Sequence, residues 1–494
     1  MKKFGYILAT YVVLGLTFAS CDKNDDPAPI NNGLDKPIND FIWKGMNSWY
    51  NWQTDVPNLA NTKDDDKDAY YTYLNGFAEP EDFFYSLLFD KGNTDRFSWI
   101  VDDFVALNNS FQGITKSFGF RLQAVLINET SGEIVFYVRY VAPNSPADVA
   151  GIKRGDIINA LDGVIMNEGN YSSVVSKLSN ETVTLSIVTE NGTLIADKTI
   201  TAVQLTENPV HFQKVFNDIK GKKVGYLVYN GFRSSYNDEL NAAFAYFKSE
   251  GIQELVLDLR INGGGSVLTS AYLASMIDAS AGTDTFAKLI FNAKHTNQSG
   301  SYTFQNTLNV YEIKDNGETV KVGEESINRL TTINQLYVLT SGSTASASEM
   351  IINGLKPFMP VKVIGTTTYG KNVGSVTLYD SPSSDFLSES SANSAHLYAM
   401  QPIVFQIYNK LDQSDYTLGF VPDIEVKEYQ SWYNILPFGD ENEVVLKAAL
   451  DDIRGVSARQ AKSLKFSEIK EFEVLKLEKR FEKEMYITDE FFNQ

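Results

Sequence analysis

Over residues 222–374, short apolar runs of strand type take turns with helix-patterned stretches, and that alternation leaves few architectures open. Residues 224–229, 252–259, 336–339 and 361–364 read as strands, and 236–250, 267–277 and 345–355 as helices. Leu240, Phe244 and Phe247 fall on one face of the first helix. Strands linked through helices predict a parallel sheet with crossover helices packed on it.

The flanking segments follow other rules. Ile38, Phe41, Ile42, Met46 and Trp49 recur at helix spacing, Tyr70, Tyr71, Tyr73, Leu74 and Phe77 continue the aromatic theme, and Pro80-Glu81-Asp82 opens a further helix through Phe83, Leu87 and Leu88. Residues 120–125, 134–141, 156–161 and 182–188 read instead as strands, with Gly151, Gly155 and Gly163 at turns. Residues 457–494 are charged and helix-prone, which predicts a peripheral helix or a tail. A chain of 494 residues has room for about two to four domains. The expected division is a helical N-terminal domain (38–112), a β domain (114–203), an α/β domain (204–454) and a C-terminal helix or tail (455–494). The fold class is therefore α/β multidomain.

The start of the chain reads as an export signal. Met1-Lys2-Lys3 is basic, residues 4–16 are apolar, and Thr17-Phe18-Ala19-Ser20 leads into Cys21. The apolar run is shorter than the roughly 20 residues that span a bilayer. The stretch resembles the lipobox of bacterial lipoproteins, with Phe18 where leucine is usual. The resemblance implies a signal peptide over 1–20, lipid attachment to the membrane at Cys21, and an exported envelope protein at the outer membrane or cell surface. Plain secretion with an incidental cysteine is the alternative. Residues 21–37, polar and rich in Asp, Asn and Pro, read as a tether, and Asp22-Lys23-Asn24-Asp25-Asp26 is similar to the export tag of some surface lipoproteins.

Several functions are excluded. A formal net charge of -19 repels phosphate, so nucleic acid is not an expected partner. Cys21 is the single cysteine, so no intramolecular disulfide is possible. The histidines are His211, His295 and His396, and neither His-Glu-x-x-His nor paired Cys-x-x-Cys occurs, so no metal or other cofactor is expected. Asp64, Asp65, Asp66 and Asp68 lack the spacing of a calcium loop and read as a solvated turn.

Two loops carry the chemistry. After the apolar run 336–339 come Ser341-Gly342-Ser343-Thr344-Ala345-Ser346-Ala347-Ser348-Glu349 and a helix. A serine at a helix start lies beside N–H groups that have no helical partner and can stabilise a developing oxyanion. Ser346 and Glu349 also have capping-box spacing, which by itself favours a mere helix cap. The run 361–364 is followed by Thr368-Tyr369-Gly370-Lys371-Asn372-Val373-Gly374, with Lys371 25 positions after Ser346.

The pair resembles the C-terminal processing peptidases, or tail-specific proteases. Their serine maps to Ser346, their lysine to Lys371, and their Asp-Leu-Arg-x-Asn-x-Gly-Gly to Asp258-Leu259-Arg260-Ile261-Asn262-Gly263-Gly264-Gly265. Residues 419–426 resemble the family's closing strand. The resemblance implies a crotonase/ClpP-like parallel-sheet peptidase domain with a Ser-Lys dyad. It gives the oxyanion donors as the N–H of Ala347 and that of Gly264 or Gly265, with Asp258 and Arg260 structural. A lysine of ordinary pKa, about 10.4, accepts the serine proton only after losing its own, which calls for burial away from carboxylates. Where the family often has a glutamine that orients the lysine, this chain has Ser375, a candidate third member or a sign of a weakened site.

Lys116-Ser117-Phe118-Gly119-Phe120-Arg121-Leu122 resembles the carboxylate-binding loop of PDZ domains, and Ser145-Pro146-Ala147, Ala150-Gly151-Ile152 and Gly155-Asp156-Ile157 match further PDZ positions. That resemblance implies peptide binding at Phe118, Gly119 and Phe120, by strand addition and capture of a free C-terminus. The leading reading is thus an endopeptidase acting on polypeptides with free C-termini. The second is a catalytically weak or inactive peptide-binding lipoprotein. A Ser-His-Asp hydrolase is the weakest: Gly-x-Ser-x-Gly is absent and each histidine reads as a surface residue.

Overall fold

The computed structural model describes residues 33–314, 319–456, 469–471, 483–488 and 491–492. The expected signal peptide, Cys21, most of the tether and most of residues 455–494 lie outside the described residues.

In the α/β domain the period of two sorts side chains onto two sheet faces. Leu227, Leu255, Leu257, Leu336, Val338 and Val363 join one core, while Val224, Tyr226, Val256, Tyr337, Leu339 and Ile364 join another. The strands run in the order Val210–Ile219, Lys222–Tyr229, Glu254–Asp258, Leu336–Thr340, Val361–Gly365, Ile424–Glu425. Pairing is parallel throughout except for the antiparallel edge strand Val210–Ile219. Helices Asn237–Glu250, Val267–Ile277 and Ala347–Leu355 contribute to the first core, and Val444–Arg454 covers the other face through Val445, Leu446, Ala449, Leu450 and Ile453.

A second sheet lies beside it, ordered Gly265–Ser266, Met485–Tyr486, Val373–Ser375, Ile403–Tyr408, Thr285–Phe291, Gly300–Thr303. One strand of it, Met485–Tyr486, comes from the segment expected to be a helix or tail. Another described piece of that segment, Lys470–Glu471, is also a strand. Where it is described as regular structure in these two places, the C-terminal stretch is therefore extended rather than helical.

The expected N-terminal helices are present as Pro37–Trp49, Lys67–Asn75, Pro80–Ser86 and Phe104–Phe111. Asp66, in the acidic cluster, caps the second by accepting from Asp68 N and Ala69 N. The first three have no separate core, since Phe41, Met46, Trp49, Leu74, Phe83 and Phe84 merge with the α/β core, whereas Phe104, Leu107 and Phe111 of the fourth form a small cluster with Trp99, Val101, Tyr379, Ala399 and Tyr486. Trp99–Val101, read as part of a helical segment, is a strand antiparallel to Ala399–Gln401. All three residues are buried, and distant pairing overrides their sequence neighbourhood.

The PDZ-like domain has its own core, built on Ala124, Ile134, Phe136, Val138, Ile158, Leu161, Val183 and Leu185. Its sheet runs Lys470–Glu471, Phe120–Asn128, Glu133–Val141, Ile157–Leu161, Thr182–Val188, Leu194–Thr201. Among the described residues no helix is long and apolar enough to cross a membrane.

Candidate active site

Ser346 stands where the strand Leu336–Thr340 has turned through its small-residue loop into helix Ala347–Leu355. Its backbone has φ 60° and ψ -119°, a conformation L-residues rarely adopt. Surrounding bonds hold it there: Ala345 N donates to Asn262 O at 3.2 Å, Ser348 Oγ to Asn262 O at 3.0 Å, and Ser346 N to Glu349 Oε2 at 2.9 Å. The glycine loop closes against this turn. A Cβ on Gly264, whose φ is 113°, would lie 2.6 Å from Ser346 Cβ and 3.0 Å from Ala347 N, so only glycine admits the approach.

Lys371 arrives from the loop after strand Val361–Gly365. Glu349 ties that loop to the serine turn: its carboxylate accepts from Gly370 N at 2.7 Å, Lys371 N at 2.8 Å and Thr368 Oγ1 at 2.6 Å, besides Ser346 N. Burial pushes the Glu349 carboxyl up, opposed by those four hydrogen bonds. Its spacing to Ser346 was legible as a cap; its reach to the lysine loop was not.

The two expected catalytic side chains meet at one point. Ser346 Oγ donates to the Lys483 carbonyl at 3.3 Å, and Lys371 Nζ donates to the same oxygen at 2.7 Å. Ser346 is 0% exposed and Lys371 1%. The lysine is buried as expected, but not away from acid: Glu484 Oε2 lies 3.3 Å from Nζ. Trp99 Nε1 donates to the other Glu484 oxygen at 3.0 Å, and the Phe97 ring centre is 5.2 Å from Nζ. Burial raises the Glu484 carboxyl, against the pull of Lys371 and Trp99. Glu484 was missed because a glutamate within Lys483-Glu484-Met485, far from either motif, carries no local signal.

Ser375, the candidate third member, donates its Oγ to Met485 O at 3.4 Å, while the Lys371 amine donates to Lys483 O and Glu484 Oε2. The group on Lys371 is Glu484 instead, so the orienting role expected of Ser375 is corrected. Of the two candidate oxyanion donors in the glycine loop, Gly264 N is taken up by Asn262 Oδ1 at 2.9 Å, whereas Gly265 N donates to a peptide carbonyl, Glu484 O, at 2.5 Å.

Below the glycine loop sits a buried charge cluster. Arg260 pairs with Asp258 at 2.6 Å and with Glu428 and Glu443 at 2.8 Å each. Arg139 and Arg154 of the PDZ-like domain reach Glu428 at 3.2 and 2.7 Å, and Arg139 Nη2 donates to Arg260 O at 3.1 Å. Burial alone would raise the Glu428 carboxyl, but Arg154, Arg260 and Arg139 together hold it well below the usual range.

In the peptide-loop candidate, the Phe118 and Phe120 rings stack at 5.7 Å, and Gly119 N donates to Ser117 Oγ at 2.9 Å. Gly119 has φ 83°, and a Cβ there would overlap Ser145. The histidines lie elsewhere. His295 is buried, not at the surface as expected: it stacks on Trp49 at 3.7 Å and bonds Ser48. His396 faces Asp380, and His211 packs against Tyr140 and Phe438. Among the described residues no group of three His, Cys, Asp or Glu is arranged to hold a metal.

Residues 223–426 match the model for peptidase family S41, residues 37–99 that for the peptidase S41 N-terminal domain, and residues 137–189 that for a PDZ domain. A carboxyl-terminal-processing protease of Picosynechococcus sp. is 24% identical over 312 residues, covering 63% of this chain and 64% of that protein. A CtpA-like serine protease of Staphylococcus aureus is 26% identical over 312 residues, covering 62% and 53%. The match thus spans between about half and two thirds of these relatives. Among solved structures, a Bacteroides fragilis protein described as an S41 protease shares 28% identity with a TM-score of 0.64, over 84% of this chain and 97% of that one.

Proposed function

The chain belongs to peptidase family S41 and carries a PDZ domain, and on that footing we propose that it is a serine endopeptidase of the carboxyl-terminal-processing kind with a Ser346–Lys371 dyad. The observation that carries the reading is the convergence of Ser346 Oγ and Lys371 Nζ on a single peptide carbonyl, that of Lys483. In the proposed reaction the Lys371 amine takes the Ser346 hydroxyl proton as Oγ bonds to the scissile carbonyl carbon. The carbonyl oxygen, now negative, is met by the N–H of Ala347 and of Gly265. As the C–N bond breaks, the lysine returns the proton to the leaving amine. Water then releases the acyl group from Ser346 by the same route.

Substrates in this reading are exported polypeptides whose free C-termini the PDZ domain holds at the loop of Phe118, Gly119 and Phe120. The protein itself sits in the cell envelope through a lipid on Cys21. A second reading, a peptide-binding lipoprotein without catalysis, draws on the contact of Lys371 Nζ with Glu484 Oε2 at 3.3 Å, an acid beside the amine where the dyad calls for none.

Digestion of a tagged unfolded protein by wild type, Ser346→Ala and Lys371→Ala decides between them. Ser346→Ala abolishes hydrolysis, and Lys371→Ala lowers it by about 10²–10⁴-fold. Hydrolysis at the wild-type rate by either variant rules the dyad out. Free and amidated forms of one C-terminal peptide test the PDZ step, since equal binding of both argues against carboxylate capture.

A further inference from the structure

The C-terminal part of the chain is found in two places where a peptide would be expected. The first is the catalytic cleft. Met485–Tyr486 runs parallel to Gly265–Ser266 on one side and to Val373–Ser375 on the other, with Gly265 opposite Met485 and Ser375 opposite Tyr486. These flanking strands extend the glycine loop and the lysine loop, and they belong to one sheet only through the inserted strand. Its main chain uses donors and an acceptor of the site: Gly265 N donates to Glu484 O, Lys371 Nζ donates to Lys483 O, and Ile487 N donates to Ser375 O at 3.1 Å. Its side chains are seated as well. Met485, Tyr486 and Ile487 are buried, Tyr486 stacks on Phe111 at 4.1 Å, and the Glu484 carboxylate bridges Lys371 and Trp99.

The second place is the PDZ sheet edge. Lys470–Glu471 adds antiparallel to Phe120–Asn128, the strand that follows the Phe118-Gly119-Phe120 loop. Lys470 is opposite Leu126 and Glu471 opposite Val125, so the segment heads toward that loop as it runs C-terminally. A ligand joining a PDZ domain by strand addition uses such an edge.

We infer that the C-terminal segment is an internal pseudosubstrate, with residues 469–471 on the PDZ edge and 483–487 in the cleft, that keeps other peptides from the site until it is displaced. The inference rests on the peptidase reading for what it regulates, but the docking itself does not. Being on the same chain, the segment faces its sites at an effective concentration of about millimolar order, so a free peptide must outcompete it. It escapes hydrolysis because Glu484 engages Lys371 as an ion pair and the Lys483 carbonyl accepts from Ser346 rather than lying under attack.

The test uses the full chain, the full chain with Glu484→Ala and Tyr486→Ala together, and a chain ending at Val456, each also with Ser346→Ala. The probe is a fluorescent synthetic peptide copying residues 480–491. Anisotropy, with thermal unfolding as the check on folding, reads binding independently of catalysis. The doubly substituted full chain binds the peptide at least about tenfold more tightly than the unsubstituted one, and so does the truncated chain if it folds. In the versions retaining Ser346, protein digestion rises by a similar factor. Equal peptide binding by the full chain and its doubly substituted form, or no binding by either, overturns the inference. Peptide binding that rises without any Ser346-dependent digestion upholds the pseudosubstrate and removes the peptidase reading instead.

Discussion

Glu349 shows how much of the site depends on one side chain. Its two oxygens receive four donors from two loops that no local sequence pattern joins: Ser346 N, Gly370 N, Lys371 N and Thr368 Oγ1. Glu349→Gln keeps the volume but exchanges one acceptor for a donor. The NH2 then faces an N–H, leaving a buried donor unpaired at about 1–3 kcal/mol. A loosened lysine loop also misplaces Lys371 relative to Ser346, and displacement on the order of 1 Å costs about 10²-fold. The expected outcome is a melting temperature several degrees lower and a kcat about 10–100-fold lower with KM nearly unchanged, read from unfolding curves and steady-state kinetics. An unaltered kcat shows that the carboxylate does not position the lysine. At this scale Ser346, Lys371, Gly264 and Gly265 were legible because small residues and a loop lysine form compact local motifs. Glu484 and Trp99 were not, since each reaches the site by tertiary contact from a segment without chemistry of its own.

Among the elements, the strands of the parallel sheet were legible because burial on both faces leaves continuous apolar runs, as in Leu336–Thr340 and Glu254–Asp258. Trp99–Val101, Lys470–Glu471 and Met485–Tyr486 were not, because they are two or three residues long and their partners are remote in sequence. What fixes the elements around the glycine loop is equally remote. Arg260 holds Asp258 at the end of its strand, Glu428 of the turn Glu428–Ser431, and Glu443 at the cap of helix Val444–Arg454. Arg260→Met leaves these carboxylates short of a partner in the interior, a loss of about 3–5 kcal/mol measurable by urea unfolding. Arg139 and Arg154 still serve Glu428, so Asp258, left with Tyr226 OH at 2.8 Å and the backbone N–H of residue 260 at 3.2 Å but with no cation, is the group most exposed to the change. Since Glu428 is held below its ordinary value, its share of stability is present above about pH 4.5 and is lost as pH falls toward the folded value. In Arg260→Met that value rises, so acid unfolding begins at higher pH than in wild type. Coincident acid transitions would remove Arg260 from this role.

For the molecule as a whole, the contact between the PDZ and peptidase domains ties the PDZ sheet to the glycine loop through Arg139 and Arg154, and His211 lies in that contact. It sits on the edge strand Val210–Ile219, between Tyr140 of the PDZ domain at 4.5 Å and Phe438 at 5.5 Å. Its Nδ1 is buried without a hydrogen-bond partner. Burial first, and then the charge of Arg154, lower its pKa from 6.5 to about 4, with Glu207 and Asp258 opposing. Between those two values the unfolded chain binds the proton and the folded one does not, so stability falls as pH drops from about 6.5 to about 4 and is flat above. The shift is worth on the order of 3 kcal/mol over that interval. Protonated, the ring would add a charge beside Arg154, one of the residues that tie the PDZ domain to Glu428. His211→Phe keeps a ring between Tyr140 and Phe438 and has no proton to gain. Melting temperatures of the two proteins agree closely at pH 7.5, and the wild type falls away faster between pH 6.5 and 4. The same comparison with the labelled C-terminal peptide as ligand shows whether acid also loosens capture. If the two melting curves stay parallel over that interval, the domain contact takes its acid sensitivity from the Glu428 cluster alone.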